Sequence, residues 1–200
     1  MGSLRIEPYT ILNDLLEGNK RYIEGRRLND ISATRRLSVA GEQSPIATVL
    51  GCSDSRVPPE HIFDKGLGEL FVVRTAGHVI GELEIGSLEY ACEHLKTPLL
   101  LVLGHTGCGA VKASLKNSGG NGYLNHVIKT IKPIVAEVLK EHPALTQEAL
   151  VNRVVVHHIQ STVNKIMERS EIIKKLVKEK YLVVKGSLYD LETGKITLLD

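Results

Sequence analysis

Cys52, Asp54 and Arg56 stand at alternate positions in GCSDSRVPPE, directly after the apolar run Ile46-Ala47-Thr48-Val49-Leu50. About fifty residues later His105-Thr106-Gly107-Cys108 follows a second apolar run. Two thiolates and an imidazole are suitable ligands for zinc. A closed structural site normally takes four protein ligands. One short His-x-x-Cys hook and one distant cysteine leave the fourth position free, which is the catalytic arrangement. Zinc lowers the pKa of a bound water to about 7 and so makes hydroxide available at neutral pH. Cys108 lies between Gly107 and Gly109 at an expected helix N-terminus, where the dipole favours a thiolate. Asp54, two residues beyond Cys52, can reach the metal or its water. Arg56 can hold Asp54 in a bidentate pair and keep it off the metal. A lone cysteine in apolar surroundings is ordinarily core filling. Two at strand ends, one of them beside an acid–base pair, call for chemistry.

Those side chains converge only if the strands before them are parallel neighbours, with Cys52, His105 and Cys108 at one carboxyl edge of a sheet. The runs IATVL (46–50), LFVV (70–73) and LLLVLG (99–104) are short, continuous and branched, as strands buried on both faces are. Residues 82–96 repeat Leu83, Leu88, Ala91, Cys92 and Leu95 at helical spacing and form the expected crossover. An amphipathic helix is expected over 9–24, an irregular connection over 26–43, and a short helix after Cys108. The loop KNSGGNG (116–122) and helices over 123–139 and 146–167 follow, with Pro133 at a start or a kink. Glu192-Thr193-Gly194 separates two alternating runs and reads as a hairpin. The fold class is α/β, a mostly parallel central sheet with an antiparallel edge, flanked by helices. We take 1–200 as one domain, with an N-terminal arm and connection over 1–43 and an α/β core over 44–200.

The bulk numbers exclude other classes. A net charge of +2 and eight aromatics without tryptophan give no electrostatic or stacking case for nucleic acid. No apolar run is long enough to span a membrane. The N-terminus lacks a secretory h-region, and Ile6 stands where a myristoylation signal wants Ser or Thr. Three cysteines are too few for a disulfide scaffold. A cytoplasmic location is expected.

CSDSR (52–56) followed by GHTGCGAV (104–111) resembles the β-class carbonic anhydrases. The likeness extends to ELFVVRTAGHV (69–79), GSLEYA (86–91) and YDLETG (189–194). It implies one zinc per chain on Cys52, His105 and Cys108, an Asp54–Arg56 dyad, and hydration of CO2 to bicarbonate and a proton by a zinc-bound hydroxide. It implies Gln43 as a hydrogen-bond donor to a substrate oxygen, helped by the Gly109 N–H, and Phe71 and Tyr90 as apolar walls. Gln43, Phe71 and Tyr90 are expected from a neighbouring subunit, in a homodimer often assembled into a homotetramer, with the N-terminal arm packed on the partner. Thr75 and His78 stand where many relatives have Asn, and Ala76 is smaller than the branched wall residue of plant-like members. One branch closes at low pH, with the aspartate on zinc and bicarbonate in a second site that uses a tryptophan. Val49 stands at that position, so an open site at neutral pH is expected, with Asp54 a fourth ligand only in a closed state.

Alternatives keep the same residues: hydrolysis of CS2 or COS, a non-catalytic zinc- or bicarbonate-binding module, or a redox thiol protein with a Cys52–Cys108 disulfide. The intact dyad and Gln43 favour catalysis. Other residues carry less. Cys92 reads as core. His157 and His158 point about 100° apart on one helix. His61, His94, His126 and His142 read as surface, and His78 as lying near an interface or a proton exit. Gly66-Leu67-Gly68 lacks the third glycine of a dinucleotide loop, and GHTGCGAVKAS lacks the P-loop order. KIMERSEIIKKLVKEK (165–180) reads as a solvated helix face.

Overall fold

Alternation along the central strands divides the interior into two layers. In the computed structural model, which describes residues 7–116 and 122–199, the strands are β1 (Ala47–Cys52), β2 (Leu70–Thr75), β3 (Leu99–His105), β4 (Val183–Tyr189) and β5 (Ile196–Leu199). They form one sheet in the order β2-β1-β3-β4-β5. The first four are parallel, and β5 runs antiparallel to β4 at the edge. Ala47, Val49, Leu99, Leu101 and Leu103 face one layer. Leu50, Cys52, Leu100 and Val102 face the other. Strands β1 and β3 are covered on both faces, which is why they read as continuous apolar runs, whereas β2, expected to be buried in the same way, is half-buried along its whole length.

The first layer is α1 (Pro8–Ile23) and α3 (Pro59–Ile62). Ile11, Leu12 and Leu15 pack with Ile62 and Phe63 against the sheet. Asn19 ties this layer down. Its amide donates to the carbonyls of Ile62 (3.2 Å) and Gly194 (2.8 Å) and accepts from the Ile196 N–H (3.0 Å). The expected arm therefore buries its apolar face on its own chain. The surface it can offer a partner is the other one, where Tyr9 and Ile23 are exposed.

The second layer holds α4 (Glu82–Glu89), α5 (Gly109–Leu115), α6 (Leu124–Glu141), α7 (Gln147–Arg169) and α8 (Glu171–Lys178). Ile159 of α7 presses onto the sheet where β3 and β4 carry Gly104 and Gly186. A Cβ at either glycine would lie within 2.7 Å of that side chain. This close approach fixes α7 above the end of β3 and the middle of β4.

Four expectations need correction. The connection over 26–43 contains a short helix, α2 (Ala33–Ser38), because the Ser32 side chain accepts from the Arg35 N–H and caps it. The helix expected over 82–96 changes after Glu89 into a π-helical turn, Tyr90–His94, where the Leu95 N–H reaches back to Tyr90. Leu83 is 83% exposed and lies off the buried stripe. Pro133 does not start a helix: α6 runs through it, with the ring on the exposed side. The segment 165–180 is not a plain solvated face. Ser170 accepts from the Ile173 N–H and donates to Glu89, so α7 ends and α8 begins there, with Ile166 and Ile173 buried. Most of the loop expected over 116–122, and the extreme N-terminus, lie outside the described residues.

Candidate metal centre

Strand β1 ends at Cys52 and β3 ends at His105, so both side chains emerge at the carboxyl edge of the sheet. The turn Thr106-Gly107 then brings Cys108 back as the N-cap of α5. That turn is fastened on three sides. The Thr106 N–H donates to the Tyr189 carbonyl (2.9 Å), the Thr106 hydroxyl accepts from the Leu191 N–H (3.0 Å), and the Gly107 N–H donates to Asn152 on α7 (2.9 Å). The ligand atoms of Cys52, His105 and Cys108 all lie within 4.8 Å of one another, and all three residues are buried.

The donor chemistry suits a soft dication. His105 Nδ1 sits 2.9 Å from the Thr106 carbonyl, which takes its proton and leaves Nε2 as a lone pair. Nε2 is buried with no hydrogen-bond partner among the described residues. Both thiols are free. The Cys52 thiol is held down, chiefly by the adjacent Cys108, which donates to it, with further help from the Asp54 and Gly77 backbone N–H groups. Cys108 is pushed up by the same neighbour. Two touching thiols give up their protons in sequence, and a cation between them lets both ionise. Zinc therefore fits the orphaned nitrogen and the paired sulfurs.

Asp54 leans away from this group. Its carboxylate accepts from Arg56 Nε (3.0 Å), Arg56 Nη2 (2.8 Å) and the Arg56 backbone N–H (3.0 Å). This bidentate grip holds Asp54 well below the usual carboxylate range. Oδ2 stays 3.8 Å from His105 Nε2, beside the place where the three ligand atoms converge. Arg74 was missed in the sequence, although it ends the buried-looking run LFVV. Its guanidinium donates to the carbonyls of Cys52 (2.9 Å) and Asp54 (2.6 Å) and so shapes the loop that carries both.

The expected substrate-binding residues divide. Gly109 is exposed at the start of α5, next to Cys108. Gln43 is exposed and precedes β1, whereas Cys52 ends it, roughly 17 Å further along the strand. Phe71 is level with Thr48, while Thr75 is level with Cys52. Phe71 packs instead with Tyr90, ring centroids 6.1 Å apart. Within one chain these three residues are at the far end of the sheet from the metal group. Cys92 is core, and His61, His94 and His126 are exposed. His78 is fully buried and stacked on His158, not at an exit.

A second group, Glu141, His142 and His157, also brings ligand atoms within 4.8 Å. Arg153 donates to His142 Nε2 from two nitrogens, at 3.3 and 3.2 Å. A guanidinium occupying the lone pair is poor company for a cation.

A family profile described as carbonic anhydrase matches residues 47–196. Carbonic anhydrase 2 of Mycobacterium tuberculosis is 40% identical over 198 residues, covering 96% of this chain and 93% of that one. Among solved structures, a β-carbonic anhydrase from Coccomyxa in complex with acetazolamide superposes with a TM-score of 0.77 at 30% identity, over 94% of this chain and 86% of that one. One of two tetrameric β-carbonic anhydrases from Sordaria macrospora gives 0.78 at 25% identity, over 96% and 95%.

Proposed function

The chain belongs to the β-class carbonic anhydrases, and from that premise we propose how its own residues divide the work of the site. The enzyme is a zinc lyase that interconverts CO2 and water with bicarbonate and a proton. Cys52, His105 and Cys108 would hold the metal. Zinc, when bound, supplies the Lewis acidity that makes water a nucleophile near neutral pH. Asp54, with Oδ2 3.8 Å from His105 Nε2, would accept the attacking water's proton in a hydrogen bond and so turn that water's lone pair toward carbon. Arg56 keeps Asp54 in that posture and off the metal. The observation that carries this open reading is the bidentate Arg56–Asp54 pair.

Gln43 donates to a substrate oxygen as charge develops on it, aided by the Gly109 N–H, and Phe71 and Tyr90 exclude water around the apolar substrate. These residues come from a neighbouring subunit, since Gln43 and Phe71 lie at the other end of their own β1 and β2. The unit is a homodimer, with a homotetramer open to it as in the tetrameric Sordaria enzymes. The half-exposed edge strand β2 supports a covering partner. No described helix is long and apolar enough to cross a membrane. The free thiols support a reducing compartment, the cytoplasm.

Hybrid oligomers test the shared site. Gln43→Ala chains and Asp54→Asn chains are each expected to be nearly inactive. Refolded together in equal amounts, they should recover about a quarter of wild-type activity, because half the dimers are hybrids and each hybrid holds one intact site. Recovery of no activity on mixing would place Gln43 in the same chain's site and overturn the reading.

A further inference from the structure

Gly77 lies between the metal group and a histidine that the mechanism above does not use. Its N–H donates to Cys52 Sγ at 3.2 Å, and its carbonyl accepts from His158 Nε2 at 2.8 Å. Both contacts depend on an uncommon backbone. Gly77 is left-handed (φ 66°, ψ 24°), and His78 beside it also has a positive φ of 45°. The space is closed: a Cβ on Gly77 would meet Ala110 Cβ at 2.9 Å and Ile131 Cδ1 at 3.0 Å.

His158 comes from α7, on its buried face with Val154, Val155 and Ile159. Its ring stacks on His78, centroids 4.3 Å apart and planes 27° apart. Burial pulls it down to about 4, so at neutral pH the ring carries one proton. The Gly77 carbonyl draws that proton to Nε2. Nδ1 is buried without a partner among the described residues, as are both nitrogens of His78. The ring of His158 therefore spends its one donor on Gly77.

We propose that His158 is a positioning residue for the metal centre: its Nε2–H anchors the Gly77 carbonyl and thereby fixes the Gly77 N–H on the Cys52 sulfur. The inference rests on Cys52 being a zinc ligand. A hydrogen bond to a ligating thiolate draws electron density from the sulfur, so the metal receives less and is the stronger Lewis acid. His78, stacked on the same ring, holds its tilt toward Gly77.

The test loads the full-length wild type, His158→Leu and His158→Gln with Co2+ in place of zinc, and reads the thiolate-to-cobalt charge-transfer band. In His158→Leu the sulfur lone pair loses its stabilising hydrogen bond, so the band moves to longer wavelength and zinc affinity falls about tenfold. In His158→Gln the amide N–H reaches the same carbonyl, and band and affinity stay near wild type. An unshifted band in His158→Leu, or one shifted equally in His158→Gln, means that the ring only fills space and overturns the proposal. NMR of the zinc-loaded wild type needs no variant. It should find His158 as the Nε2–H tautomer and the Gly77 amide proton far downfield, and an Nδ1–H tautomer overturns the proposal even if His158→Leu does not fold. A wild type with no thiolate band at all would instead remove the metal assignment itself.

Discussion

At the scale of single residues, the alternation Cys52-x-Asp54-x-Arg56 does something that three separate residues would not. Cys52 ends β1 on the metal side, and the turn closed by the Val57 N–H on the Asp54 carbonyl lets Arg56 grip Asp54 with two side-chain nitrogens and its own backbone N–H. A carboxylate so held stays ionised through neutral pH and is not free to swing onto a cation. Removing the grip releases it. Arg56→Ala should lower CO2 hydration at about pH 7 by roughly 10- to 100-fold, and the cobalt-loaded variant should gain a carboxylate ligand in its d–d spectrum. A fully active variant with an unchanged spectrum would contradict the role given to Arg56. This constellation was legible in the sequence because metal ligands are few in type and their spacing is short. Arg74 and His158 were not. Each acts on a backbone carbonyl, and a carbonyl has no letter in the sequence.

At the scale of elements, the site is assembled by strand ends and the turns that follow them. Parallel pairing of β1 with β3 was readable from their branched apolar runs, and it alone brings Cys52 and His105 to one edge; the pairing of β1 with β2 was not readable. The turn Ala76–His78 after β2 was not readable. Its two left-handed residues are imposed by packing against Ala110, Ile131 and His158. The break at Ser170 and the π-helical turn after Glu89 were missed for a similar reason, since contacts across the chain override helical spacing. Gly77→Ala forces a Cβ into closed space in a conformation that alanine resists. It should destabilise the protein by about 1–3 kcal/mol in urea unfolding and weaken zinc binding in parallel. Wild-type stability and affinity in that variant would contradict the account of the turn.

At the scale of the whole molecule, two buried histidines tie pH to stability. Burial pulls both His78 and His158 below their ordinary value. The folded value for His158 is about 4, against an unfolded one of about 6.5. The unfolded chain takes the proton first, so this contribution is fully present above about pH 6.5 and is lost as pH falls toward 4. At pH 5 the loss through His158 alone is about 2 kcal/mol. Unfolding free energies from urea titrations at about pH 7 and about pH 5 should therefore drop more in wild type than in His158→Gln by that amount, and equal drops would contradict it. The parallel sheet, its antiparallel edge and the position of the metal group could be anticipated from one chain's sequence, but not the strand order β2-β1-β3-β4-β5. A partner's coverage of β2, Phe71 and Tyr90 rested on resemblance, because half-exposed strand residues do not name what covers them. The central claim is an open zinc site kept open by Arg56 at neutral pH. Stopped-flow CO2 hydration at about pH 7 and about pH 8.5, with zinc quantified on the same sample, tests it most directly. Activity at both values with one zinc per chain is the expected result. Activity only at the higher value, with zinc still stoichiometric, would mean that Asp54 closes onto the metal and would contradict it.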